Sequence, residues 1–197
     1  MVLKPVSRMG PPPIIFDAKI GETDNSMKAY LKYFIEDLKV DAAVVNPFMG
    51  EEVLAPFAPG SACGAVVLVR TSNPGSVIFQ DQQLSSGEKL WERVLRVVLE
   101  KRAAGFDLIP VLASTADIAK SSILHELPID VPVFVAGYGA QGGSLELVRS
   151  LVRLGHRSIV VNSSRDILFA HEKTSSIPWQ IAISDAARAT RRSISEH

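Results

Sequence analysis

Six short apolar runs, rich in β-branched residues, recur along the chain, and each is followed at once by a polar segment. They fall at 14–16 (IIF), 42–45 (AAVV), 65–69 (AVVLV), 108–112 (LIPVL), 131–135 (VPVFV) and 158–161 (SIVV). Runs that are nearly continuous rather than alternating are expected of strands covered on both faces. Between them, helical spacing predicts helices over 26–38, 87–104, 116–127, 144–154 and 185–195, with Ser85 and Glu88 as a capping box for the second. Trp91, Leu95 and Val98 share one face of that helix and are predicted to be core. Strand and helix alternate, so the sheet should be parallel.

The polar segments sharpen this fold class. DAK follows IIF, NPFMG follows AAVV, RTSNPG follows AVVLV, AST follows LIPVL, GYGAQGG follows VPVFV and NSSR follows SIVV. An open sheet concentrates its chemistry at one switch point, whereas a (β/α) barrel displays it at the carboxyl end of every strand. The expectation is therefore an α/β, TIM-type (β/α) barrel. Six strands are countable where a closed barrel has eight, so the first two β/α units are expected to be lacking. A Pro-rich lead, 1–13, precedes a phosphate-binding barrel domain, 14–197, and a length of 197 residues suits one core.

Composition narrows the partners. Lys plus Arg and Asp plus Glu number 21 each, so no net charge draws the chain to nucleic acid or to an anionic membrane. A small-molecule ligand is expected instead. One cysteine, Cys63, cannot form an internal disulfide, and the first residues lack the apolar core of a secretory signal, which predicts a cytoplasmic protein.

Gly137, Gly139 and Gly142 have the spacing G-x-G-x-x-G directly after an apolar run. A dinucleotide fold places that turn after its first strand and wants a carboxylate at the end of the next one; here the turn is late and the next strand ends in Asn162, Ser163, Ser164 and Arg165. A barrel reading accounts for more, because barrels commonly hold a phosphate in the loops after their last two strands. GAQGG and NSSR then form a phosphate clamp, with the guanidinium of Arg165 as a charge-assisted fork. Tight-turn glycines and a surface arginine would explain either motif alone, though less readily the two in succession.

Asp17 and Lys19 are two apart in FDAKIGE, so on a strand they project to one side, with Glu22 just beyond its end. An ammonium beside carboxylates is favoured in its charged form and can protonate a carbanion at a barrel mouth. An ordinary strand-end ion pair fits the same spacing. The four histidines, His125, His156, His171 and His197, lack metal-ligand spacing, and no metal or other cofactor is expected.

The ordered set FDAKIGETDNSMKAY, DAAVVNPFMG, VLVRTSNPGS, VAGYGAQGG and VVNSSRDILFA resembles the orotidine 5′-phosphate decarboxylase family, in particular its longer bacterial subgroup. The resemblance implies a phosphate-binding barrel acting as a homodimer, with sites at the subunit interface. It also implies cofactor-free loss of carbon dioxide from orotidine monophosphate to give uridine monophosphate. Position by position it makes Lys19 the proton donor to C6, Asp17 its neighbouring carboxylate, and Glu22 and Ser26 residues that cross the interface. Ser72 would read the pyrimidine edge, and Gln141, Gly142 and Arg165 would grip the phosphate. The chain departs from the family pattern at Ile20 for Arg, Glu22 for Asp, Ala136 for Pro and Asp166 for Gly. Two other readings share these residues: a sugar-phosphate decarboxylase or aldolase of a related barrel, and a catalytically silent paralogue that binds a nucleotide or sugar phosphate as an assembly subunit.

Overall fold

The first strand, β1 (Ile15–Ile20), runs well past the apolar IIF segment and takes Asp17 and Lys19 into the sheet. The structure is a computed structural model that describes residues 12–139, 143–174 and 176–195. Residues 1–11 of the Pro-rich lead lie outside the described residues, as do Gln141 and Gly142. After β1 come α1 (Asp24–Tyr33), β2 (Ala42–Val45), β3 (Gly64–Leu68), α2 (Val77–Gln80), α3 (Leu90–Ala103), β4 (Leu108–Ala113) and α4 (Ala116–Ala119). The chain continues through β5 (Val133–Ala136), α5 (Glu146–Arg153), β6 (Ile159–Val161), α6 (Arg165–Leu168), α7 (Ala170–Lys173) and α8 (Trp179–Ser195).

All six strands pair in chain order, each with its neighbours and always parallel. Parallel neighbours in sequence order with helical crossovers make a (β/α) barrel wall, as the polar strand ends predict. Among the described residues β1 and β6 are its two edges.

The wall is apolar on both sides, which explains the unbroken apolar runs. Ala43, Val45, Val67, Leu112 and Val133 face outward against helical residues such as Met27, Trp91, Leu95 and Leu147. Val44, Val66 and Val111, with Leu68, Phe134 and Ala136 beside them, face the barrel interior. Trp91, Leu95 and Val98 are buried as their spacing predicts, and complete burial of side chains of this size contributes about 1.5–3 kcal/mol each. Among the described residues no helix is long and apolar enough to cross a membrane.

Three local expectations are corrected. Helix α3 begins at Leu90, where the Glu92 carboxylate accepts the Lys89 N–H at 2.9 Å, so Ser85 and Glu88 do not cap it. They sit in a tight reversal closed by the Leu84 N–H to the Glu88 carbonyl at 2.8 Å. The segment 116–127 is broken at Ser121, whose extended backbone turns its hydroxyl onto Glu92 at 2.9 Å; the break lets Ile118 and Ile123 reach the same core. Helix α8 starts earlier than expected, directly after Pro178, whose carbonyl accepts the first helical bonds from the Ile181 and Ala182 N–H groups at 2.9 and 3.1 Å.

Candidate active site

At the carboxyl end of β1 the side chain of Lys19 donates to Asp17, and the pair is open to solvent, 55% and 59% exposed. Lys19 has φ +50°, a left-handed conformation that a side chain bearing Cβ rarely adopts. The register accounts for it: Phe16 pairs with Ala43 and Ile20 with Val45, so the β1 segment bulges against β2. Bulges that re-aim a side chain next to a binding site are a recurrent device. Spacing along a regular strand would not disclose this turn of the backbone.

Opposite, the loop that leaves β3 carries Thr71, Ser72 and Asn73. It is fastened at its base by Arg70, which is 4% exposed and forks onto the Asp81 carboxylate at 3.0 and 2.8 Å. Beside this pair the Thr71 N–H donates to the Gln80 side-chain oxygen at 2.9 Å. A bidentate guanidinium–carboxylate pair is both strong and directional, so the loop has a fixed shape without belonging to helix or sheet.

A third side comes from the ends of β5 and β6. Gly143 returns beside Tyr138, and a Cβ on it would fall 2.3 Å from the Gly137 carbonyl oxygen, so only glycine closes this loop. Gly139 has φ +86°, and a Cβ there would lie 2.0 Å from the Asp166 carboxylate. Asp166 itself pairs with Lys173 at 2.9 Å. From β6, Ser164 donates to the Asn162 side-chain oxygen at 3.0 Å, and Arg165 opens α6.

These three sides enclose a cavity of about 410 Å³ lined by Asp17, Lys19, Ser72, Asn73, Ser164 and Arg165 among others. Its apolar floor is Leu68, Val111 and Ala136, and a neighbouring cavity of about 450 Å³ continues down the inner face past Val44 and Val160. Of the expected site residues, Asp17, Lys19, Ser72 and Arg165 are therefore brought together. Glu22 and Ser26 are exposed and do not line this cavity. Asn162 and Ser164, of the expected NSSR clamp, line it too. Sequence reasoning did not single out Thr71, Asn73 or Tyr138 as cavity residues; the signal was there, since each lies in a polar segment that follows a strand. Cys63 belongs elsewhere: it is buried at the opposite end of β3, and burial, reinforced by Asp41 and Asp107, pushes its thiol up to about 11.

Residues 3–177 match the profile of the orotidine 5′-phosphate decarboxylase / HUMPS family. The chain belongs to that family. An orotidine 5′-phosphate decarboxylase from Porphyromonas gingivalis is 41% identical over 157 residues, covering 80% of this chain and 56% of the relative. One from Halobacterium salinarum is 34% identical over 186 residues, covering 94% and 67%. The chain thus spans little more than half the length of the Porphyromonas protein. The solved Leishmania donovani OMP decarboxylase superposes with a TM-score of 0.72 over 93% of this chain and 68% of its own, a likeness of fold at 23% identity. The six described strands form one parallel wall, with Gly137, Tyr138 and Gly139 following β5 and Asn162 to Arg165 following β6.

Proposed function

We propose that this chain takes part in the cofactor-free decarboxylation of orotidine 5′-monophosphate to uridine 5′-monophosphate, a carboxy-lyase step of pyrimidine synthesis in the cytoplasm. The observation that carries the reading is the meeting of Asp17 and Lys19, Ser72, and Ser164 and Arg165 on three sides of one cavity. A volume of about 410 Å³ suits a ligand of nucleotide size. Arg165, with Gln141 and Gly142 of the glycine loop, takes the phosphate, and Ser72 takes the edge of the pyrimidine. That places C6 on the β1 side. The bond from C6 to the carboxylate breaks, carbon dioxide leaves, the electron pair stays on C6, and the Lys19 ammonium supplies the proton that replaces the carboxylate. Asp17 holds the ammonium in place through their ion pair.

The partner is a second copy of the chain. Glu22 and Ser26 are exposed beside the β1 end and do not line this cavity, a placement suited to a neighbouring subunit's site. Exposed Phe48, Met49, Ile78 and Phe79 supply apolar surface close by, with Phe48 and Phe79 in ring contact. We treat 14–197 as the barrel domain that forms this assembly.

The test is calorimetry with uridine monophosphate and a decarboxylation assay. Arg165→Ala is expected to remove a charge-assisted bond and weaken binding by about 1.5–3 kcal/mol. Lys19→Ala is expected to abolish turnover while leaving that affinity largely intact. Unchanged affinity in Arg165→Ala refutes the phosphate site. Binding without decarboxylation by the wild type, unrelieved by Glu22→Asp, favours the silent binding subunit instead.

A further inference from the structure

We propose that the buried Arg70–Asp81 ion pair is a positioning device for the pyrimidine-facing side of the cavity, holding Ser72 and Asn73 through Thr71 and Ser76. The proposal rests on the nucleotide reading above. Neither Arg70 nor Asp81 lines the cavity, whereas Thr71, Ser72 and Asn73 all do.

The chain of contacts can be followed atom by atom. Arg70 Nε and Nη2 donate to the two Asp81 oxygens. Arg70 Nη1 turns back and donates to the Thr71 carbonyl and to the Ser76 hydroxyl. Ser76 passes the constraint on by donating to the Asn73 carbonyl at 2.6 Å. Thr71 does the same from the other side, its hydroxyl donating to the Asn73 side-chain oxygen at 2.7 Å. Ser72 therefore lies between two residues that Arg70 fixes, one directly and one through Ser76. The segment has no ladder or helix of its own before Pro74, so its geometry depends on these side chains, together with Gln80, which bonds Thr71 at 2.9 and 3.0 Å, and the Ser76 N–H, which donates to the Asn73 carbonyl at 3.0 Å. A planar fork with donors in fixed directions can hold a carboxylate, a carbonyl and a hydroxyl at once. The pair is internal to the loop: Asp81 is the residue directly after α2, and α2 presents Val77, Ile78 and Phe79 outward. The loop is thus a self-fastened unit standing on one buried charge pair.

A positioning role makes a prediction that a merely structural role does not. Uridine 5′-monophosphate and ribose 5-phosphate share the sugar and phosphate and differ by the base, so the ratio of their affinities reads the pyrimidine side alone. In calorimetry, Asp81→Asn, which keeps the shape and removes the charge, is expected to lower that ratio by about tenfold, the equivalent of one good hydrogen bond. The ribose 5-phosphate affinity should stay at its wild-type value. Asp81→Glu should restore part of the ratio. Ser76→Ala leaves the ion pair in place and should lower the ratio by less; it carries the test if Asp81→Asn does not fold by circular dichroism. A wild-type ratio in both variants, or an equal loss for the two ligands, overturns the positioning role while leaving the nucleotide reading intact. Wild-type protein that binds neither ligand overturns both.

Discussion

On one side of the cavity the 70–81 loop buries Arg70 and partners it with Asp81, Thr71 and Ser76, whereas on the other β1 leaves Asp17 and Lys19 more than half exposed, Lys19 on a left-handed backbone. The two sides answer to different physical demands. A surface that recognises a flat heterocycle has to be shaped before the ligand arrives, because every group left to be ordered on binding costs affinity. A proton donor beside a carboxylate needs access to the reacting carbon, and its electrostatic strength rises only when the ligand displaces water around it. In the proposed reaction, rigidity stands on the side assigned to recognition, and the open charged pair on the side assigned to proton transfer.

The largest expected effect tests that contrast through stability. Arg70→Ala removes a buried guanidinium and strands the Asp81 carboxylate, which is 20% exposed, and is expected to lower the unfolding free energy by about 3 kcal/mol, the low end for a buried pair. Lys19→Ala removes an exposed pair, with an expected loss of no more than about 1 kcal/mol. Urea denaturation of both variants checks this, and equal losses would break the comparison.

A buried, poorly satisfied group sharpens it. His156, between α5 and β6 at the opposite end of the barrel, is 2% exposed, and among the described residues neither ring nitrogen makes a well-formed hydrogen bond, with only a weak approach to the Val131 backbone. Burial lowers its pKa from the ordinary 6.5, against the opposing pull of Asp130 and of the Val131 backbone. The unfolded chain therefore takes up a proton just below pH 6.5 that the folded chain resists. Folded-state stability is indifferent to this group above that window and falls as pH is lowered through it. His156→Leu is expected to stabilise by about 1–3 kcal/mol, the usual cost of an unsatisfied buried polar group, and by more at pH near 5.5 than near 7.5. Thermal unfolding at the two pH values measures the difference; a gain that is equal at both would remove the proton-linked part.

The smallest effect concerns the backbone under Lys19. With φ at +50°, Lys19→Gly should be more stable than Lys19→Ala by about 1 kcal/mol, since glycine has no Cβ to crowd the left-handed turn. Both variants should be inactive, so the comparison isolates strain from chemistry. A Gly variant no more stable than the Ala variant would show that the bulge carries no strain.

Much of this was legible in one dimension. Val44 and Val45, or Val66 and Val67, are adjacent apolar residues because the wall is covered on both faces, and that alone implies parallel strands with helical crossovers. The polar residues directly after each strand marked the cavity end, and the motif resemblance singled out Asp17, Lys19, Ser72 and Arg165, which do line one cavity. Helix boundaries were less legible. Ser121 breaks its segment because Glu92, far away in sequence, takes its hydroxyl, and no local pattern carries that information.

Sequence by itself therefore determined the parallel alternating architecture, the end at which chemistry is displayed and the residue types available there, because strand burial and strand-end position follow from periodicities of a few residues. Tertiary structure alone decided that Lys19 leaves the pleat, since the bulge arises from pairing with β2. It alone decided that Asp81 reaches back to Arg70, and that Asp166 closes on Gly139. Each is a contact between residues that approach only after the chain has turned, and its energy depends on distance and burial rather than on spacing along the sequence.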